Sequence, residues 1–204
     1  MSQITSGIRK ILSHPEIYRA SQSLMGAHKA RQRFVENHIK PFSGMKILDI
    51  GCGPADILAY LPQVEYYGYD ISAAYISQAK SRFKNKGHFT CKQLQIDDFD
   101  HLPKFDVVLA LGLLHHLDDS VASELLRLSQ HALNDKGRLL TIDPCFVPSQ
   151  NIIAKFLIRC DRGQNVRTQE EYLRLAGQIY SKPHAEVRHQ AWIPYTHCFM
   201  ECRK

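Results

Sequence analysis

The sequence has no apolar run of the ~18 residues that a membrane-spanning helix needs. Residues 1–10 contain no apolar core of the kind that marks a secretory leader. The six cysteines, at 52, 91, 145, 160, 198 and 202, make no C-x-x-C pair and no repeated metal-ligand spacing. They are expected to be free thiols, mostly buried, in a reducing cytoplasm. Low-complexity tracts, internal repeats and Pro/Gly-rich linkers are also missing. What remains is a 204-residue chain, 44% hydrophobic and 23% charged, the size of one α/β domain. Its charge is lopsided. Residues 1–48 hold eight Lys/Arg against two Asp/Glu, so the net +6 resides there and the rest of the chain balances. Such an arm suits an anionic small molecule, a membrane surface or RNA, or is a solvated helix face. No basic block is dense enough to mark a nucleic-acid patch, and nucleic acid is not the expected partner.

The rest of the chain is organised around residues 45–56, Met-Lys-Ile-Leu-Asp-Ile-Gly-Cys-Gly-Pro-Ala-Asp. Ile47, Leu48 and Ile50 form the short apolar run of a central parallel strand. Gly51 and Gly53 let the backbone turn tightly and approach a ligand closely. Pro54 suits the first turn of a helix, predicted to run through Ile57, Leu58 and Leu61 until Pro62 stops it. A strand, a glycine turn and a helix make a nucleotide-binding corner. A dinucleotide fingerprint would be G-x-G-x-x-G, with pyrophosphate on the helix N-terminus. Here Asp56 stands at the third glycine position and Asp49 ends the strand. Carboxylates repel a pyrophosphate and attract an ammonium.

Asp49-x-Gly51-x-Gly53 resembles the first motif of the class I (Rossmann-like) S-adenosylmethionine (SAM)-dependent methyltransferases. In that family a third small residue, usually Gly, follows two positions on; here it is Ala55. The next strand, predicted over Val64–Asp70, ends in an acid 21 residues after Asp49. An acid at that place can accept both hydroxyls of a ribose, and Tyr67-Gly68-Tyr69-Asp70-Ile71-Ser72 is similar to the family's Y-G-x-D-x-S. The alternative for Asp70 is to cap the following helix, a role Ser72 can also fill. Ile71 would lie against the adenine. The third strand is predicted over His88–Leu94, which aligns Gln93 and Leu94 with the family's adenine-binding pair; a second register would use Asp97 or Asp98. Phe105–Leu111 is the most strand-like segment of the chain. It runs into Gly112-Leu113-Leu114-His115-His116-Leu117, and F-D-V-V…L-H-H-L resembles the fourth strand and following loop of small-molecule methyltransferases. The resemblance implies that the Leu111 backbone closes the cofactor pocket and that the loop faces the methyl group. His116 there is either a general base or a packing residue. His115 and His116, adjacent on a turn with no carboxylate to complete the set, are not expected to hold a metal.

Elsewhere, residues 4–40 read as two or three helices, one of them roughly His28–Ile39. The resemblance implies that this arm folds over the cofactor, with Tyr18 either lining the acceptor pocket or packing. Helices are expected over 73–84 and after Asp118/Asp119, the second with Val121, Leu125, Leu128 and Ala132 on one stripe. Asn134–Gly137 should end that helix before a fifth strand, Arg138–Asp143. No D/N-P-P-Y/F follows the fourth strand, and Cys145, beside Pro144, reads as structural. Residues 149–180 form a helical insertion whose connector holds Arg162 and Arg167. These would grip an acceptor carboxylate or phosphate, or form local salt bridges. Thr168 and Glu171 spell a capping box. Ala185–Trp192 and Tyr195–Cys202 read as a terminal strand pair.

The expected fold is α/β: a seven-stranded, mostly parallel, doubly wound sheet with a C-terminal antiparallel pair and an N-terminal helical arm. It would be a single domain over 1–204, with the arm at 1–44 and the SAM-binding core at 45–145. The expected activity is methyl transfer from SAM, yielding S-adenosylhomocysteine (SAH), to an oxygen or nitrogen of a small acceptor, with no metal. An RNA or protein methyltransferase and a non-catalytic SAM-binding regulator are the alternatives.

Overall fold

A computed structural model describes residues 27–160, 163–190 and 195–204. β1 (Lys46–Ile50) forms where the apolar run was read, and four of its five residues are buried. It pairs in parallel with β2 (Glu65–Asp70) on one side and β4 (Phe105–Leu111) on the other. β2 pairs with β3 (His88–Cys91), and β4 with β5 (Leu133–Phe146). β8 (Tyr195–Arg203) runs antiparallel to β5 and to β7 (His184–Gln190). The main path is therefore β3-β2-β1-β4-β5-β8-β7, seven strands in the expected arrangement. An eighth, the two-residue β6 (Arg167–Thr168), pairs with β5 off that path. The strand order reverses between β1 and β4, and ligands bind at such a switch point beyond the carboxyl ends of the strands.

Apolar clusters fill both faces of the sheet. One gathers Leu48, Phe105, Leu126 and Tyr172 beneath the helices after β4 and β5. The other gathers Ile39, Ile47, Tyr66 and Phe89 beneath the arm and the helix after β2. The arm's described part is α1 (Ala27–Phe34), which continues as a π-helical turn (Val35–Ile39) and ends on Lys40 in the left-handed conformation. Arg138 of β5 holds this end by donating to the carbonyls of His38 and Ile39 at 3.0 and 2.7 Å. α2 (Ala73–Phe83) is capped by Ser72 and α3 (Asp119–Ala132) by Asp118. α4 (Ile152–Arg159) and α5 (Gln169–Gly177) make up the insertion, and the Thr168–Glu171 capping box starts α5. No helix among the described residues is long and apolar enough to cross a membrane.

Three local expectations need correction. The segment after the glycine turn is a five-residue 3-10 helix, Asp56–Tyr60, rather than an α-helix. Pro54 stays in the turn and Pro62 follows too soon for two α-helical turns to form. β3 stops at Cys91, so Gln93 and Leu94 lie beyond it. Residues 134–137 do not separate α3 from the fifth strand: β5 already starts at Leu133, and the four residues bulge out between its pairings with Phe105 and Val107.

Candidate active site

β1 delivers Asp49 to the switch point. Its side chain is 2% exposed. Oδ2 accepts from the Tyr66 hydroxyl at 2.5 Å, and Oδ1, also buried, accepts no hydrogen bond from the described residues. Burial, set against the Tyr66 bond and reinforced by the nearby Asp70 charge, pushes the Asp49 carboxyl up to about 7. The turn beyond it is left-handed at Gly51, Gly53 and Ala55. A side chain at Gly51 would press on Leu113, from the loop after β4, at about 3.0 Å. A Cβ at Gly53 would meet nothing within 4 Å, so that side of the turn is open.

β2 delivers Asp70 to the same corner. Its two carboxylate oxygens accept from the Gly53 and Ser72 backbone N–H groups at 2.9 and 2.8 Å. Each oxygen keeps a second lone pair for a ligand. Ile71, next to it, is 55% exposed. Gln93 is exposed, whereas Leu94 is buried in the core cluster that contains Ile50 and Tyr69. Asp98, the alternative register, is engaged in a capping box with Gln95 and an ion pair with Lys92. Leu111 ends β4, and the Gly112 N–H after it donates to the Ile142 carbonyl at 2.7 Å.

The histidine loop is pinned by a residue that the sequence reading passed over. Asp143, 1% exposed on β5, takes both the His115 backbone N–H (3.1 Å) and the His115 ring Nδ1 (2.8 Å) on Oδ1. The His115 carbonyl accepts from the Asn165 N–H at 3.0 Å. Gly163 lies flat against the ring: a Cβ there would fall 2.0 Å from His115 Cδ2. His115 is therefore enclosed as a clamp between β5 and the connector. His116, half-buried, lies tilted against it at a 4.0 Å centroid distance. The readable signal was the sheet order: Asp143 lies near the carboxyl end of the strand beside the one that feeds the histidines.

Arg167 turns its guanidinium inward. Its Nε and Nη2 donate to Asp119 Oδ1, its Nη1 to the Leu114 and Asn165 carbonyls, and its Nη2 also to the Leu117 carbonyl, all at 2.7–3.0 Å. All five N–H groups of the guanidinium are spent inside the protein, which makes Arg167 a brace for the histidine loop. Tyr18 and Arg162 lie outside the described residues. Cys145 is fully buried.

Residues 48–139 match the family described as a methyltransferase domain. The match takes in just under half of the chain. Among curated proteins the chain is 40% identical over 84 residues to an uncharacterised protein of Synechococcus sp., an overlap of 36% of this chain and 20% of that one. It is 33% identical over 81 residues to the ubiquinone biosynthesis O-methyltransferase of Bradyrhizobium sp., covering 38% of this chain and 32% of that protein. The chain thus spans a third or less of the length of these curated relatives. Among solved structures it superposes on the plantazolicin methyltransferase BpumL, in complex with a triazolic desmethyl analogue and SAH. That TM-score is 0.64 at 17% identity, over 95% of this chain and 93% of the other. The fold is the methyltransferase fold.

Proposed function

We propose that the protein is a SAM-dependent methyltransferase acting on an oxygen or nitrogen of a small metabolite, glycan or lipid precursor. The observation that supports it most is the corner itself. A buried carboxylate oxygen without a donor, an open glycine turn, a second carboxylate and an exposed isoleucine stand side by side at the switch point. Asp49 Oδ1 would receive the ammonium of the amino-acid tail, which follows the turn past Gly51 and Gly53 to the Leu111 backbone. Asp70 would take the ribose hydroxyls, and Ile71 and Gln93 would flank the adenine. Leu94 would support that wall from the core. Bound there, the cofactor supplies a methyl group on a sulfonium, already electrophilic.

The protein's own task is then alignment and exclusion of water. The Asp143–His115 clamp and the Arg167 brace would hold the loop that faces the methyl group. His116, the more accessible histidine, would take the proton of a hydroxyl acceptor. The relative from Bradyrhizobium is named an O-methyltransferase, which favours oxygen. A cytoplasmic location accords with the free cysteines.

Titration calorimetry with SAH, followed by SAH release across a metabolite panel, tests this reading. Asp70→Ala should weaken SAH binding about 10- to 100-fold, the loss of hydrogen bonds to a charged acceptor worth ~1.5–3 kcal/mol. His116→Gln should lower kcat about 10²–10⁴-fold and leave SAH affinity unchanged. Absence of SAH binding by the intact protein overturns the proposal.

A further inference from the structure

Tyr66 is the one group among the described residues that donates to Asp49, and nothing in the glycine-turn pattern calls for it. Both side chains are buried: Tyr66 fully, and Asp49 is 2% exposed. β1 and β2 place the pair in adjacent registers, with Ile47 beside Tyr66 and Asp49 beside Gly68. The phenol must therefore reach along β2 to meet the carboxylate. Gly68 keeps that path clear, since a Cβ there would stand 3.1 Å from the Tyr66 ring and 2.8 Å from Cys52 Sγ. The other groups bearing on Asp49 do not help it ionise. Asp70, from the end of β2, opposes a second negative charge. Cys52, in the turn, is a thiol that burial and Asp49 itself hold protonated. From β4 the neighbours in register are Val107, Val108 and Leu109, all apolar.

We propose that Tyr66 is a positioning residue that favours the ionised form of the Asp49 carboxylate and leaves one of its oxygens for a primary ammonium. The inference rests on the reading of this corner as a SAM site. Its physical basis is that a buried carboxylate loses its hydration and stays charged only if a donor replaces part of it. Tyr66 supplies that donor at Oδ2, and Oδ1 remains without one. Ligand capture at this corner is then coupled to loss of a proton near neutral pH. Any competing ligand without the ammonium escapes that coupling.

The test is SAH binding by calorimetry from pH 5.5 to 8.5, in wild type and in Tyr66→Phe. 5′-Methylthioadenosine, which keeps the adenosyl group and lacks the amino-acid tail, serves as the control. In wild type, SAH affinity should fall about tenfold per pH unit below a break near 7, the slope of a single titrating group. In Tyr66→Phe the break should move upward by about one unit, and methylthioadenosine should show no break in either protein. The amine of SAH titrates identically in both experiments, so the difference between the proteins isolates the carboxylate. If Tyr66→Phe fails to fold, Asp49→Asn takes its place, and SAH binding should then be weak and flat with pH. SAH binding with the same break in both proteins, or flat in wild type, overturns this inference and leaves the cofactor assignment standing. No SAH binding at any pH overturns both.

Discussion

Two residues at the glycine turn show how much chemistry rests on a single side chain. Asp49 has a folded-state pKa of about 7 against an ordinary value of 3.8, so the folded protein binds this proton more tightly than the unfolded chain. Its contribution to stability is therefore fully present below about pH 4 and is lost as pH rises through 7. The loss amounts to ~4 kcal/mol above pH 7, at 1.36 kcal/mol per unit. Urea denaturation should show the unliganded protein losing stability across that window, and Asp49→Asn should flatten the slope. Ala55 reads in the sequence as a mild replacement for a third glycine. In the structure it is fully buried and left-handed, at φ 55°. Ala55→Gly would relieve roughly 1–2 kcal/mol of backbone cost. It would also give up about 0.8 kcal/mol of methyl burial and about 0.4–1 kcal/mol of chain entropy. The expected net is a change within about 1 kcal/mol. Ala55→Val, β-branched at the same φ, should lower the melting temperature severely.

At the scale of elements, helix caps and central strands were legible because each depends on neighbours in sequence. Ser72, Asp118 and the Thr168–Glu171 box act within one turn of their own helix, and the apolar runs of β1 and β4 need only a covered sheet. The connector was not legible in this way. Arg167 reads equally as a ligand-gripping cation or as a local salt bridge, and what decides is three carbonyls that lie far apart in sequence or on a turn: Leu114, Leu117 and Asn165. Removing the arginine would orphan them and leave a buried brace empty. Arg167→Ala should cost about 1–3 kcal/mol, the penalty of leaving buried carbonyls unpaired, and Arg167→Lys should recover little, since an ammonium cannot reproduce the planar fork. Both losses are readable as a fall in urea midpoint. Kinetically, the damage should appear as lost kcat through the histidine loop, with SAH affinity retained.

For the molecule as a whole, a mostly parallel sheet closed by an antiparallel pair followed from the alternation of strands and helices and the terminal strands; the two-residue β6 did not. The attachment of the arm did not either, because it runs through long-range contacts: Phe34, Val35 and Ile39 pack into the core of one sheet face. Arg31 reaches Asp56 at 3.1 Å while Arg82 of α2 holds the other oxygen of the same carboxylate. The basic excess of the arm is thus partly engaged with the segment after the glycine turn instead of facing solvent. Asp56, the acid standing where a dinucleotide fingerprint has its third glycine, acts as the rivet. Asp56→Ala should loosen α1 by about 1 kcal/mol or less, and limited proteolysis near Arg31 and Arg33 should be modestly faster than in wild type.

The longest strand has a mechanical consequence. β5, 14 residues long in the middle of the sheet, carries Arg138 toward one end and Asp143 toward the other. The arm's π-helical end and the histidine loop are thus suspended from the same girder. Their amides should exchange with deuterium as slowly as those of the sheet, and thermal softening of β5 should release both together. α4 hangs on little more than Ala154 and Ile158, so its amides should let go at much lower temperature, ahead of either.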